Sequence, residues 1–383
     1  MISNNWLSGF FTKEFQTEPR CFRSPGRINL IGEHTDYNEG FVLPAGIDKF
    51  CCIAIAPSGT DFTTMVATDL DEYCITNHFP QEKHSNSWSN YVFGVVAAFQ
   101  KRGKIIPPFN AIVKSDVPVG AGLSSSAALE SVFAYAFNEL FQCGFDRLEL
   151  TAIAKEAENA FIGLQCGIMD MFASIHAKED HAIKLDCRSL QTEYVPMKLG
   201  QNKIVLFDTC VKHELASSEY NTRRLECISV VDKINAAGGT SNSLRDITVD
   251  QLNQHKELLS ENEYKRAHYV VTENIRLSDF CDAIGNADWQ RAGALLYEAH
   301  NGLQFEYEVS CKELDYLVDT VKQLDGVWGA RMMGGGFGGC TLNLVQENMV
   351  DVVVEKVAEA YQNKFGLELK YYIASTCNGA AEF

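Results

Sequence analysis

The stretch Arg23–Tyr37 reads RSPGRINLIGEHTDY and sets Arg27, Asn29, Glu33, His34, Asp36 and Tyr37 around an apolar run of Ile28, Leu30 and Ile31. Carboxylates accept hydrogen bonds from hydroxyl groups, while guanidinium and imidazole groups donate them. Gathered in one pocket, this set suits a polyhydroxylated ligand such as a sugar. A surface turn closed by its own salt bridges would use the same residue types, and both readings stand on the local pattern alone.

Three further segments could carry chemistry. Asp116–Ala128 reads DVPVGAGLSSSAA. Its glycines allow close backbone approach to a ligand, and its serines lead into a run of good helix formers. Free N–H groups and the dipole at such a helix start make an anion site, and serine hydroxyls can reach magnesium. The GxxxxGK[ST] pattern is missing, so this is no Walker-type loop. A serine-capped glycine turn is the plainer alternative. Met332–Cys340 reads MMGGGFGGC; so much glycine costs chain entropy and marks either a close backbone approach or a tight turn into a strand. Cys166–Ser174 reads CGIMDMFAS, with Asp170 among apolar neighbours. A carboxylate there needs a partner; it could be a base or an orienting group, or cap its own helix. Glu158 is either a metal carboxylate or part of a solvated helix face.

The elements that must position these groups read as an α+β mixture. Phe41–Ala56 is apolar and β-branched enough for a strand or hairpin. Trp88–Arg102 has helical periodicity, and helices are expected at about Ser125–Phe141, Glu149–Gly163, Glu214–Ala236, within Glu261–Tyr307, and at Val350–Asn363. Strands are expected at Phe109–Lys114, Lys203–Asp208, after the glycine run, and at Leu367–Ile373. A domain boundary falls near Asp186–Lys198.

Composition narrows the class. The chain has 383 residues, 46% hydrophobic and 22% charged, as in an ordinary globular protein with two or three domains. A net charge of −17 argues against nucleic acid and anionic membranes as partners. The thirteen cysteines are scattered, without CxxC pairs or zinc-finger spacing, as for reduced thiols in the cytoplasm. Neither a secretory signal nor a run long enough to span a bilayer is present.

Taken together, GRINLIGEHTDYNEGFVLPAGID (Gly26–Asp48), PVGAGLSSSA (Pro118–Ala127), CGIMD (Cys166–Asp170), SSEYNTRR (Ser217–Arg224) and MMGGGFGGC resemble the GHMP small-molecule kinase family, and within it the branch that phosphorylates galactose. The resemblance implies a two-domain fold with the active site in the inter-domain cleft: residues 1–190 carrying the sugar signature and phosphate loop, and 191–383 the glycine loop. It implies that Glu33, His34 and Asp36 hold sugar hydroxyls, with Gly167 and Tyr220 completing the pocket. Asp170 would face the anomeric hydroxyl beside Arg27. Gly120, Ala121, Gly122, Leu123, Ser124, Ser125 and Ser126 would cradle the ATP phosphates, Trp88 would lie on the adenine side, and Ser126 and Glu158 would place Mg2+. Galactose and ATP are the implied substrates, and a cytoplasmic monomer is expected.

Two positions depart from the family pattern: Met171 stands where Gln is usual, and Glu214 where Ser is frequent. Three alternatives remain: a kinase for N-acetylgalactosamine or arabinose, a non-catalytic galactose and ATP sensor, and a kinase for mevalonate or homoserine. Sensors of that kind are altered in the serine–alanine part of the phosphate loop, which is intact here at Ser126–Ala127. GEHTDY argues against the last alternative, whose acceptors do not need that hydroxyl-binding set.

Overall fold

In the computed structural model, the structure describes residues 2–80, 82, 88–212 and 216–383, excepting the side chains of 212 and 216–218. The chain builds three sheets, of six, four and three strands. The six-stranded sheet runs in the order Ala381–Glu382, Arg20–Asn29, Pro44–Pro57, Phe109–Ser115, Thr63–Ala67, Glu72–Thr76. Its neighbours are antiparallel except Thr63–Ala67 with Phe109–Ser115.

Strand Pro44–Pro57 explains the adjacent cysteines. Side chains alternate across a strand. Cys51, Ile53 and Ile55 enter the main core, while Phe50, Cys52, Ala54 and Ala56 face Leu7 and Phe11. Those two lie on an N-terminal helix, Asn4–Phe15, that periodicity did not flag; Ser3 caps its start by accepting from the Trp6 N–H. The strand or hairpin expected at Phe41–Ala56 is two strands that belong to different sheets. Phe41–Val42 joins the three-stranded sheet by pairing with His181–Asp186, and Pro44–Pro57 joins the large one.

Helices Ser125–Leu140 and Met169–His176 pack on strands Arg20–Asn29 and Pro44–Pro57. Helix Arg147–Glu156 begins two residues earlier than expected, because Asp146 and Glu149 form a reciprocal capping box there. It continues as a wide turn, Ala157–Ile162, ended by Gly163 at φ +90°. The four-stranded sheet orders Val327–Met332, Gly338–Gln346, Asn202–Lys212 and Lys370–Ala374. One continuous core joins Ile28 and Phe133 to Leu206, Leu277 and Leu342, so both halves of the chain share it. The chain end returns to the first sheet, with Ala381 opposite Arg23. Among the described residues, no helix is long and apolar enough to cross a membrane.

Candidate active site

Strand Arg20–Asn29 aims the first catalytic candidate. Its register against Pro44–Pro57 shifts between Pro25 and Arg27, and such a bulge redirects the side chain that follows it. Gly26 permits the close approach this needs, since a Cβ there would lie 2.7 Å from the Leu123 carbonyl. The Arg27 N–H donates to that carbonyl at 3.1 Å. The buried guanidinium then grips Asp170 with two bonds, Nε to Oδ1 at 2.8 Å and Nη2 to Oδ2 at 3.0 Å. Its Nη1 donates to the Gly122 carbonyl at 2.5 Å. Ser124 Oγ adds a donor to Asp170 Oδ2 at 2.6 Å. Asp170 therefore does not cap its own helix; it ties helix Met169–His176 to the glycine–serine loop Gly120–Ser126.

The loop has the shape its glycines allow. Gly120, Gly122 and Ser124 take φ of +81°, +74° and +59°, and helix Ser125–Leu140 starts immediately after. No acidic residue stands in the first turn of that helix, which leaves its N-terminal dipole open to an anion. Ser126 Oγ donates to Glu158 Oε1 at 3.0 Å. Burial, then the charge of Asp170, pushes the Glu158 carboxyl up to about 7. A hydroxyl beside a carboxylate short of countercharge is an oxygen-donor pair that fits Mg2+. That ion usually takes few protein ligands besides water and substrate phosphate.

A cavity of about 340 Å3 opens beside Asp170. Arg27, Glu33, His34, Asp36, Gly167, Asp170 and Tyr220, all singled out in the sequence, line it together. Gly167 has a steric reason: a Cβ there would fall 1.7 Å from Asp36 Oδ2. Burial, then the nearby Asp170 charge, raises the Asp36 carboxyl to about 6. His34 sits at φ +63°, and burial followed by the Arg223 charge lowers its imidazole to about 3. It is thus neutral at physiological pH. Its Nδ1 lies 2.8 Å from Tyr37 Oη, which is 2.7 Å from Tyr307 Oη. Its buried Nε2 has no hydrogen-bond partner among the described residues.

Sequence reasoning missed several contributors. Arg331 is fully buried and binds Glu33 Oε1 at 3.2 Å from both terminal nitrogens. It also donates to the carbonyls of Asn29, Leu30 and Met332. Nothing in its own neighbourhood marks it, because most of its partners lie some 300 residues away in the chain. Tyr307 and its relay to His34 gave no signal either. The glycine run was noticed without a role: Gly334, Gly335 and Gly336 line the cavity, and the Gly334 N–H donates to Glu33 Oε1 at 2.8 Å.

Other expectations fall outside the cavity. Trp88 stands at the start of helix Ser89–Lys101 as part of the main core, only 8% exposed, so its ring offers little open face to a ligand. Met171 is fully buried beside Ala127 and Ala154, so this departure sits in the core and not on the cavity wall. Glu214 lies outside the described residues.

Comparison with known proteins agrees with this geometry. Residues 90–178 match the GHMP kinases N terminal domain and residues 281–363 the GHMP kinases C terminal domain. Fold and site together therefore define a GHMP-type small-molecule kinase. Residues 9–57 match the galactokinase galactose-binding signature. The chain is 42% identical over 357 residues to galactokinase of Thermotoga maritima, covering 93% of this chain and 98% of that protein. It is 38% identical over 380 residues to galactokinase of Roseiflexus sp., covering 99% and 97%. It superposes on Lactococcus lactis galactokinase complexed with galactose with a TM-score of 0.95, at 32% identity over 99% of both chains. Mevalonate kinase of Methanococcus jannaschii, at 16% identity and a TM-score of 0.64 over 95% of this chain and all of that one, shares the fold. The chain belongs to the galactokinase family.

Proposed function

We propose that this sugar kinase transfers the γ-phosphoryl group of ATP to the anomeric O1 hydroxyl of galactose, giving galactose 1-phosphate and ADP. The observation that carries this reading is the placement of Asp170. Its carboxylate lines the sugar-sized cavity and at the same time binds Ser124 of the phosphate loop. A hydroxyl resting on Asp170 would therefore lie beside a phosphate on the loop.

Phosphoryl transfer passes through a loose transition state, so alignment and charge stabilisation matter most. Glu33, neutral His34, Asp36 and Tyr220 would hold the sugar hydroxyls, with Gly167 leaving room for Asp36. Arg27 and Ser124 fix the Asp170 carboxylate, which accepts the O1 proton or orients that hydroxyl. O1 forms the new bond to phosphorus as the bond to the bridging oxygen of ADP breaks. Free N–H groups at the start of helix Ser125–Leu140 would stabilise the phosphate oxygens. Ser126 and Glu158 would hold Mg2+, which when bound neutralises phosphate charge. All thirteen cysteines are free thiols, which favours a reducing compartment such as the cytoplasm.

The test is ADP release from ATP and Mg2+ with galactose, N-acetylgalactosamine, arabinose and glucose, using Asp170→Ala as control. Galactose-dependent release that the variant loses by about 100-fold or more is expected. Release with another sugar alone would change the substrate. Galactose binding by calorimetry without any release would make the chain a sensor.

A further inference from the structure

A second, polar cavity of about 320 Å3 lies back to back with the first. Asp36, Cys166 and Gly167 line both. The lining of the second also carries three cations from separate elements: Lys155 on helix Arg147–Glu156, Arg188 in the turn after strand His181–Asp186, and Arg224 on helix Ala216–Ala236. Arg188 is committed to Glu39, Asp246 and Ser243 at 2.7 to 3.0 Å. Lys155 has no ion-pair or hydrogen-bond partner among the described residues, and Arg224 only the Gln165 carbonyl, at 3.1 Å. In a chain of net charge −17, two cations that make no close ion pair among the described residues line one partly enclosed polar space.

Lys155 and Arg224 are half-buried, with Asp36 a carboxylate in the same lining, and an anion placed between them would accept charge-assisted hydrogen bonds from both. A guanidinium fork and an ammonium point charge in one cavity lining suit the oxygens of a phosphate. We propose that this cavity binds a phosphate group, free or carried on a sugar, between Lys155 and Arg224. We further infer that its occupation weakens sugar binding through Asp36, since an anion there crowds the carboxylate that the sugar hydroxyls would use. The coupling rests on reading the first cavity as the sugar site; the anion binding does not.

The experiment is calorimetry on the full chain with a non-hydrolysable ATP analogue and Mg2+ filling the phosphate loop. Inorganic phosphate and galactose 1-phosphate are titrated in separate arms. One phosphate per chain is expected in the wild type, weakened about tenfold or more in Lys155→Gln and in Arg224→Gln. Arg224→Lys, which keeps the charge but not the fork, is expected to lose less. Binding only in the galactose 1-phosphate arm, with the same dependence on both cations, would assign the site to the sugar phosphate. Without added anion, both Gln variants are expected to keep wild-type kcat and galactose KM. Phosphate should raise the galactose KM of the wild type but not of the variants. Absence of binding in both arms, or binding that both Gln variants retain, would overturn the anion site. Anion binding that leaves galactose KM unmoved would overturn the coupling alone. Lack of any kinase activity beside intact anion binding would count against the sugar reading, not the site. Thermal melts identify any variant that fails to fold, and the remaining single variant then decides.

Discussion

Asp36 and Gly167 form a pair in which one residue exists to make room for the other. Gly167→Ala would drive a methyl group into the Asp36 carboxylate, 1.7 Å from Oδ2. It is expected to raise galactose KM at least about tenfold through misplacement of one acceptor, with ATP KM little changed; steady-state kinetics in both substrates checks this. Asp36 also makes stability depend on pH. Its carboxyl rises from 3.8 to about 6 on folding, so between those values the folded chain holds more proton than the unfolded one. Charged Asp36 therefore opposes folding. The penalty is absent below pH 3.8, grows as pH rises, and above pH 6 reaches roughly 3 kcal/mol. Asp36→Asn should accordingly stabilise the ligand-free protein more at pH 8 than at pH 5, read as the difference in urea midpoint from wild type at each pH. An equal gain at both values would refute the assignment.

At the scale of elements, the site depends on a clamp between two segments distant in sequence. The penultimate residue of strand Val327–Met332 is Arg331, whose guanidinium holds the carbonyls of Asn29 and Leu30 and the Glu33 carboxylate. The glycine turn that follows completes the clamp through Gly334. It also runs tightly past a neighbouring segment, since a Cβ on Gly336 would lie 2.1 Å from the Val309 carbonyl. Arg331→Met would leave Glu33 buried and short of its cation. Breaking a buried pair on one side costs about 3–5 kcal/mol, and chemical denaturation should register that loss. Galactose affinity should fall with it, because the Gly26–Tyr37 segment would lose its anchor. A variant as stable as wild type would show that solvent or another cation replaces Arg331.

At the scale of the whole molecule, the last residues close the fold. Strand Ala381–Glu382 pairs with Phe22 and Arg23, and the Phe383 N–H donates to the Cys21 carbonyl at 3.0 Å. Arg147 reaches the Ala380 carbonyl at 3.1 Å, and Arg20 grips Glu382 with two bonds of 2.8 Å. The surface ion pair is worth little and the backbone bonds modestly more. Removing the residues after Cys377 should cost roughly 1–3 kcal/mol by the same bonds. Turnover at low temperature should stay near wild type, since none of these residues lines the cavity. Thermal melts and assays at 20 °C separate the two outcomes; lost turnover in a folded truncation would mean that the chain end shapes the site.

The chain by itself determined local parts: the helix after the glycine–serine loop, fewer than half of the strands, and Arg27, Glu33, His34, Asp36 and Asp170 as candidates, while Gly167 and Tyr220 entered only through the family resemblance. These are short-range properties. Apolar periodicity sets the element type, glycine permits positive φ, and dense polar motifs advertise chemistry within a few residues. Tertiary structure alone decided the rest. Asp170 acquires its donors from Arg27 and Ser124, and Glu33 its cation from Arg331, only when segments far apart in sequence are packed together. The buried chain of Tyr307, Tyr37 and His34, and the pairing of Phe41–Val42 with a different sheet from Pro44–Pro57, have the same origin. Long-range hydrogen bonds and the desolvation of charges depend on which groups become neighbours, and no window along the sequence contains that information.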